Sequence, residues 1–134
     1  MYKYFLIIIL IILPLNGWAQ QSYKIQRAVA DKNYYQALII YEQSPKKSLD
    51  NEGLYAVAKA HWALGLNNEA INIFDLLLQR KNLKRKMRAD IYLSRGILSF
   101  QNEEFENSIS FAKSAIEYFT EPEMISRSQL LLGK

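Results

Sequence analysis

The chain contains no cysteine and a single histidine among its 134 residues. No disulfide can contribute to its stability, and neither a thiolate cluster nor a pair of imidazoles can hold a metal ion. Glycine is scarce, and no phosphate-cradling glycine loop occurs. No nucleophile can be paired with a base from the sequence, so neither catalysis nor a cofactor is expected. Sustained period-two alternation between turn residues is also missing, which argues against β-strands. The formal charge of +4 is too small to imply nucleic-acid binding. What remains is a chain whose stability must come from helix packing.

The amino terminus carries one cation, Lys3, an apolar run from Tyr4 to Leu13, breakers at Pro14 and Asn16-Gly17, then Trp18-Ala19. An apolar core of about ten residues is half of what a membrane-spanning helix needs. Gly17 and Ala19 are small residues at the −3 and −1 positions of a signal-peptidase site. We therefore expect residues 1–19 to be a secretory signal peptide, cleaved near Ala19, and the protein to be periplasmic or otherwise in the cell envelope. The competing expectation is an uncleaved anchor kinked at Pro14. Removal of Lys3 leaves 16 basic and 13 acidic residues, a charge of +3. The remaining stretch, 20–134, has room for one small domain but not for two separate cores.

Helical periodicity runs from Ser22 onward, and the spacing predicts helices over Ser22–Asp31, Tyr34–Gln43, Asn51–Leu64, Asn68–Arg80, Lys86–Gln101, Phe105–Phe119 and from Glu121 to the end. Asn33, followed three residues later by Gln36, can cap the second helix, Ser44-Pro45 ends it, and Gly65 stops the third. Thr120-Glu-Pro-Glu123 forms a capping box with proline in the first turn. Small residues that open the second helix of each pair recur 33 residues apart, Ala37 to Ala70, and then 38 apart, Ala70 to Ser108. A period of this size is that of a helix-pair repeat, whose hairpins bury their apolar faces only by stacking.

The pattern resembles the tetratricopeptide repeat, a 34-residue helix-turn-helix unit. Asn51 to Lys84 matches best, with Leu54, Val57, Ala58, Gly65, Ala70, Phe74 and Leu77 at positions the family reserves for large apolar or small residues. Ala89 to Pro122 offers Tyr92, Gly96, Phe105, Ser108, Ala115 and a closing Pro122. The first copy keeps Tyr34, Ala37 and Tyr41 but has Ile25 where the family favours glycine or alanine. Gln129 to Lys134 looks like the start of a fourth copy, with Gly133 at the small-residue place inside its leading helix. The resemblance implies an all-α fold, a right-handed α-solenoid of antiparallel helix pairs. Its repeats would span about residues 20–48, 51–84 and 89–122, with a partial fourth over 123–134. It also implies that Gly96 faces Ser108 and that Ala58 faces Ala70.

By the same resemblance, the leading helices line a concave groove through Tyr55, Lys59 and Trp62, then Leu93, Ile97 and Phe100, with Trp62 and Phe100 as anchors. The implied function is a non-enzymatic scaffold that binds a protein or peptide. The alternative is an amino-terminal sensory module of a larger membrane-linked signalling or transcriptional regulator, the membrane then being reached through a missing carboxyl-terminal part or an uncleaved signal segment. Arg80, Lys81, Lys84, Arg85, Lys86 and Arg88 crowd one inter-repeat turn. They are either a solvated turn or a contact patch for an acidic protein or anionic headgroups. His61 is expected to pack against the core, and Leu130, Leu131 and Leu132 predict weak self-association through the carboxyl-terminal helix.

Overall fold

The computed structural model describes residues 17, 19–45, 49–119 and 122–133. They are all-α, with seven helices and no strand among the described residues. Helix α1 covers residues 19–30 and is followed by α2 (Tyr34–Gln43), α3 (Asn51–Ala63), α4 (Asn67–Leu78), α5 (Arg85–Gln101), α6 (Phe105–Tyr118) and α7 (Pro122–Leu131). No helix among the described residues is long and apolar enough to cross a membrane. Apart from Gly17 and Ala19, the expected signal peptide lies outside the described residues, as do Thr120 and Glu121 of the expected capping box.

Helix ends follow local chemistry. Asn33 Oδ1 accepts from the Gln36 amide at 3.4 Å, as its position before α2 predicts, and Asp50 Oδ1 accepts from the Gly53 amide at 2.8 Å to cap α3. At the other end of α2, the Ser44 hydroxyl donates to the Ile40 carbonyl at 2.6 Å.

One turn recurs between α1 and α2, between α3 and α4, and between α5 and α6. In each, a residue with left-handed backbone follows the helix: Lys32 (φ 59°), Gly65 (φ 76°) and Glu103 (φ 63°). The amide after it donates back to a carbonyl five residues earlier, Asn33 to Ala28 at 2.8 Å, Leu66 to His61 at 2.9 Å and Glu104 to Ser99 at 2.8 Å. This is the Schellman arrangement, which satisfies carbonyls a helix end would leave open. The residue that closes the turn also starts the next helix, since its carbonyl accepts from Ala37, Ala70 or Ser108. Those three small residues, each five positions past the left-handed one, are fully buried.

By its contacts the chain forms two compact units, Met1–Ile73 and Phe74–Lys134. In the first, α2 packs on α3, and the core gathers Ile25, Ala37, Leu54, Val57 and Ala58. The buried Ser22 hydroxyl on α1 donates to Asp50, the cap of α3, and Gly53 lies directly beneath it. A side chain on Gly53 would overlap Ser22 Oγ, so glycine here is a requirement of close packing. Ile25, the large residue where the family favours a small one, is completely buried and fills this core.

In the second unit, α5, α6 and α7 enclose Ala89, Leu93, Ala115 and Phe119, flanked by Tyr92, Ile97, Tyr118, Ile125 and Leu131. Gly96 and Ser108 meet as expected. The Ser108 hydroxyl donates to the Gly96 carbonyl at 2.9 Å, and a Cβ on Gly96 would lie 3.4 Å from the Ser108 carbonyl oxygen. Ala58 and Ala70 are both completely buried. Arg95 braces the start of this unit, pairing with Asp75 at 2.6 Å while its guanidinium lies 4.6 Å from the centre of the Phe111 ring.

The carboxyl end corrects one expectation. Gly133 is not inside a helix: α7 ends at Leu131, and Gly133 has φ 73°, with its amide donating to the Leu130 carbonyl at 3.0 Å. It stands where Lys32, Gly65 and Glu103 stand. Counted back from that residue, α7 shares the register of α1, α3 and α5.

Candidate functional site

Counting back from each left-handed residue puts the leading helices in one register. Leu93, Ile97 and Phe100 stand ten, six and three residues before Glu103, and Arg127 and Leu130 stand six and three before Gly133. The structure brings these five residues together with Leu131 around a groove of about 300 Å³ between α5 and α7. Leu93 is buried and serves both core and groove floor, Ile97 and Leu131 are half-buried, and Phe100 and Leu130 are 52% and 72% exposed. The Phe100 ring also meets Phe105 across the α5–α6 turn, edge to face with centres 5.6 Å apart. Exposed aromatic and leucine side chains beside a concave apolar surface are the usual makings of a binding anchor.

Three of the six lining residues, Leu93, Ile97 and Phe100, were expected from the sequence. Arg127, Leu130 and Leu131 were not, because the sequence pattern puts Gly133 inside a helix and the structure puts it just past the end of one. Counting from Gly133 as a turn residue would have found Arg127 and Leu130.

On α3 the corresponding positions are Tyr55, Lys59 and Trp62. Tyr55 and Trp62 are half-buried, and the Lys59 ammonium lies 4.6 Å above the centre of the Tyr55 ring, a cation–π contact one helical turn long. These three belong to the first compact unit and Leu93, Ile97 and Phe100 to the second.

The basic turn proves to be partly structural. Arg85 donates from Nη2 to the Glu117 carbonyl at 2.7 Å and from Nε to the Tyr118 carbonyl at 3.2 Å, closing the end of α6. Arg88 donates to the Leu78 and Arg80 carbonyls at 2.9 and 2.8 Å, closing the end of α4. A cation at a helix carboxyl terminus meets both open carbonyls and the negative end of the dipole. Two of the six cations in the expected contact patch are thereby engaged by backbone; Lys81, Lys84 and Lys86 are exposed. Leu83, in the middle of the run, is buried and anchors the turn.

His61 is half-buried and meets Tyr41 edge-on, with ring centres 6.4 Å apart. Its buried Nδ1 has no hydrogen-bond partner. Burial pushes its pKa below the ordinary imidazole value, and Glu69 and Glu42 oppose that shift in part. Among the described residues no cluster of three or more histidine or carboxylate side chains could hold a metal ion.

No protein-family model, curated protein or solved structure matches the chain.

Proposed function

We propose that this protein is a tetratricopeptide-like α-solenoid, three helix pairs followed by the leading helix of a fourth, that serves as a non-enzymatic scaffold and binds a protein or peptide along the face of its leading helices. The observation that carries the reading is the groove between α5 and α7, because all the residues at the equivalent register that are described there line one apolar concavity with half-exposed anchors. The recurrence of one turn at Lys32, Gly65, Glu103 and, in its described part, Gly133 supports the repeat architecture. The apolar run from Tyr4 to Leu13, followed by the small residues Gly17 and Ala19, supports export to the cell envelope.

A photo-crosslinking amino acid placed at Phe100, compared with one at the exposed Lys113 on α6, tests this reading in intact cells. Adducts with another polypeptide are expected from position 100 and not from position 113. Phe100→Ala combined with Leu130→Ala should remove the partner while leaving the helical circular-dichroism spectrum unchanged. Equal adducts from both positions, or undiminished binding by the double variant, would overturn the groove assignment.

A further inference from the structure

The groove between α5 and α7 is apolar on every side but one. Arg127 is its only charged lining residue. Among the described residues the Arg127 side chain is exposed and makes no hydrogen bond or ion pair. That sets it apart from Arg85, Arg88 and Arg95, whose guanidinium groups are all engaged by carbonyls or a carboxylate. A guanidinium at the edge of an apolar surface can take a planar anion, and a carboxylate fits its paired donors bidentately. Beside low-dielectric walls the attraction is also stronger than it would be in water.

The dimensions restrict the occupant further. From Leu93 to Phe100 the wall of the groove is seven helical residues, about 10 Å long. An extended chain covers that length in about three residues, with alternate side chains on one side. At about 300 Å³ the cavity lies at the lower limit of ligand sites and admits only a few side chains.

We infer that this groove takes a short extended peptide segment of a partner protein in which two apolar residues at alternate positions are followed, at the next alternate position, by an aspartate or glutamate, whose side chain pairs with Arg127. This deepens the scaffold reading and rests on it. Leu93, Ile97 and Phe100 receive the apolar side chains, and Arg127 selects the acid.

The test uses the full chain and a fluorescein-labelled, end-blocked peptide, Gly-Leu-Ser-Phe-Ser-Glu-Gly, read by fluorescence anisotropy. Two further peptides carry glutamine for the glutamate, one end-blocked and one with a free terminal carboxylate. The acidic peptide should bind at least about tenfold more tightly than the blocked glutamine peptide, as a hydrogen bond to a charged group implies. Arg127→Met, which keeps the side chain's bulk at an exposed position, should erase that preference with the melting curve unchanged, and Arg127→Lys should keep part of it. Phe100→Ala should weaken all the peptides alike. Equal binding of the acidic and blocked glutamine peptides, both lost in Phe100→Ala, would overturn the acidic preference and leave the groove reading intact. Tightest binding by the peptide with the free terminal carboxylate would overturn an internal acid in favour of a chain terminus. Absence of all binding at about 1 mM, the chain being folded, would overturn both readings.

Discussion

Gly53→Ala offers the sharpest test of the packing around α3. The added Cβ would overlap Ser22 Oγ and lie 3.1 Å from both Ser22 Cβ and Asp50 Oδ1. Neither neighbour is a loose side-chain tip, because the Ser22 hydroxyl is buried and donates to Asp50, which in turn accepts from the Gly53 amide. Alanine in place of glycine in a helix gains at most about 1 kcal/mol. Displacing the serine breaks a hydrogen bond to a carboxylate, which costs about 1.5 to 3 kcal/mol. The net expectation is a loss of about 0.5 to 2 kcal/mol, against the usual gain for such a substitution. Urea denaturation followed by circular dichroism measures it, and Ser22→Ala supplies the second arm of a double-mutant cycle. Ser22→Ala alone should destabilise, but once the hydroxyl is gone Gly53→Ala should cost at least about 0.5 kcal/mol less than in the parent. A Gly53→Ala variant as stable as the parent, or strictly additive costs, would refute the close approach of α1 to α3.

Further outcomes are expected elsewhere. Gly96→Leu should lose about 1 to 3 kcal/mol through overpacking. Gly96→Ala should fall close to the parent, because its Cβ would come within 2.9 Å only of Leu131 Cδ2, the tip of a half-buried side chain that can yield; thermal melts of both variants decide this. Since folding lowers the His61 pKa, its contribution to stability is full above the ordinary value of about 6.5 and declines as pH falls from there toward the lowered folded-state pKa. The imidazole proton signal of the one histidine should titrate below that ordinary value, and titration at or above it would contradict the burial argument. Arg88→Met should cost about 1 to 3 kcal/mol through two lost carbonyl bonds, whereas Lys81→Met should be neutral in the same denaturation assay. Weak self-association through α7 predicts concentration-dependent sedimentation that Leu130→Lys removes.

The helices were legible because their ends announce themselves locally. Tyr34–Gln43 was read without error, as Asn33 caps it and Ser44-Pro45 stops it, both through contacts within a few residues. The turns at Lys32 and Glu103 were not legible, since a left-handed backbone signals itself through glycine or asparagine and these residues are neither. The structural roles of Arg85 and Arg88 were hidden for a different reason: their partners are carbonyls up to 33 positions away, and backbone acceptors leave no mark on sequence. In the groove, Leu93, Ile97 and Phe100 followed from helical register within one repeat. Arg127 required the further knowledge that Gly133 ends a helix.

The three-residue turns at 31–33, 64–66 and 102–104 are identical in length, while the links between successive pairs are seven, six and three residues long, over 44–50, 79–84 and 119–121. The two kinds of connection should respond oppositely to editing. Each extra residue in a helix advances its phase by about 100°. One residue inserted between Asn102 and Glu103 would either break the turn or rotate α6 against α5 and carry Ser108 off the Gly96 carbonyl. Residues inserted between Lys81 and Asn82 would shift no helical phase, and their cost would be limited to the turn that Arg88 closes and the buried Leu83 anchors. The hairpin turns are thus where the chain's reading frame of helical phase is kept.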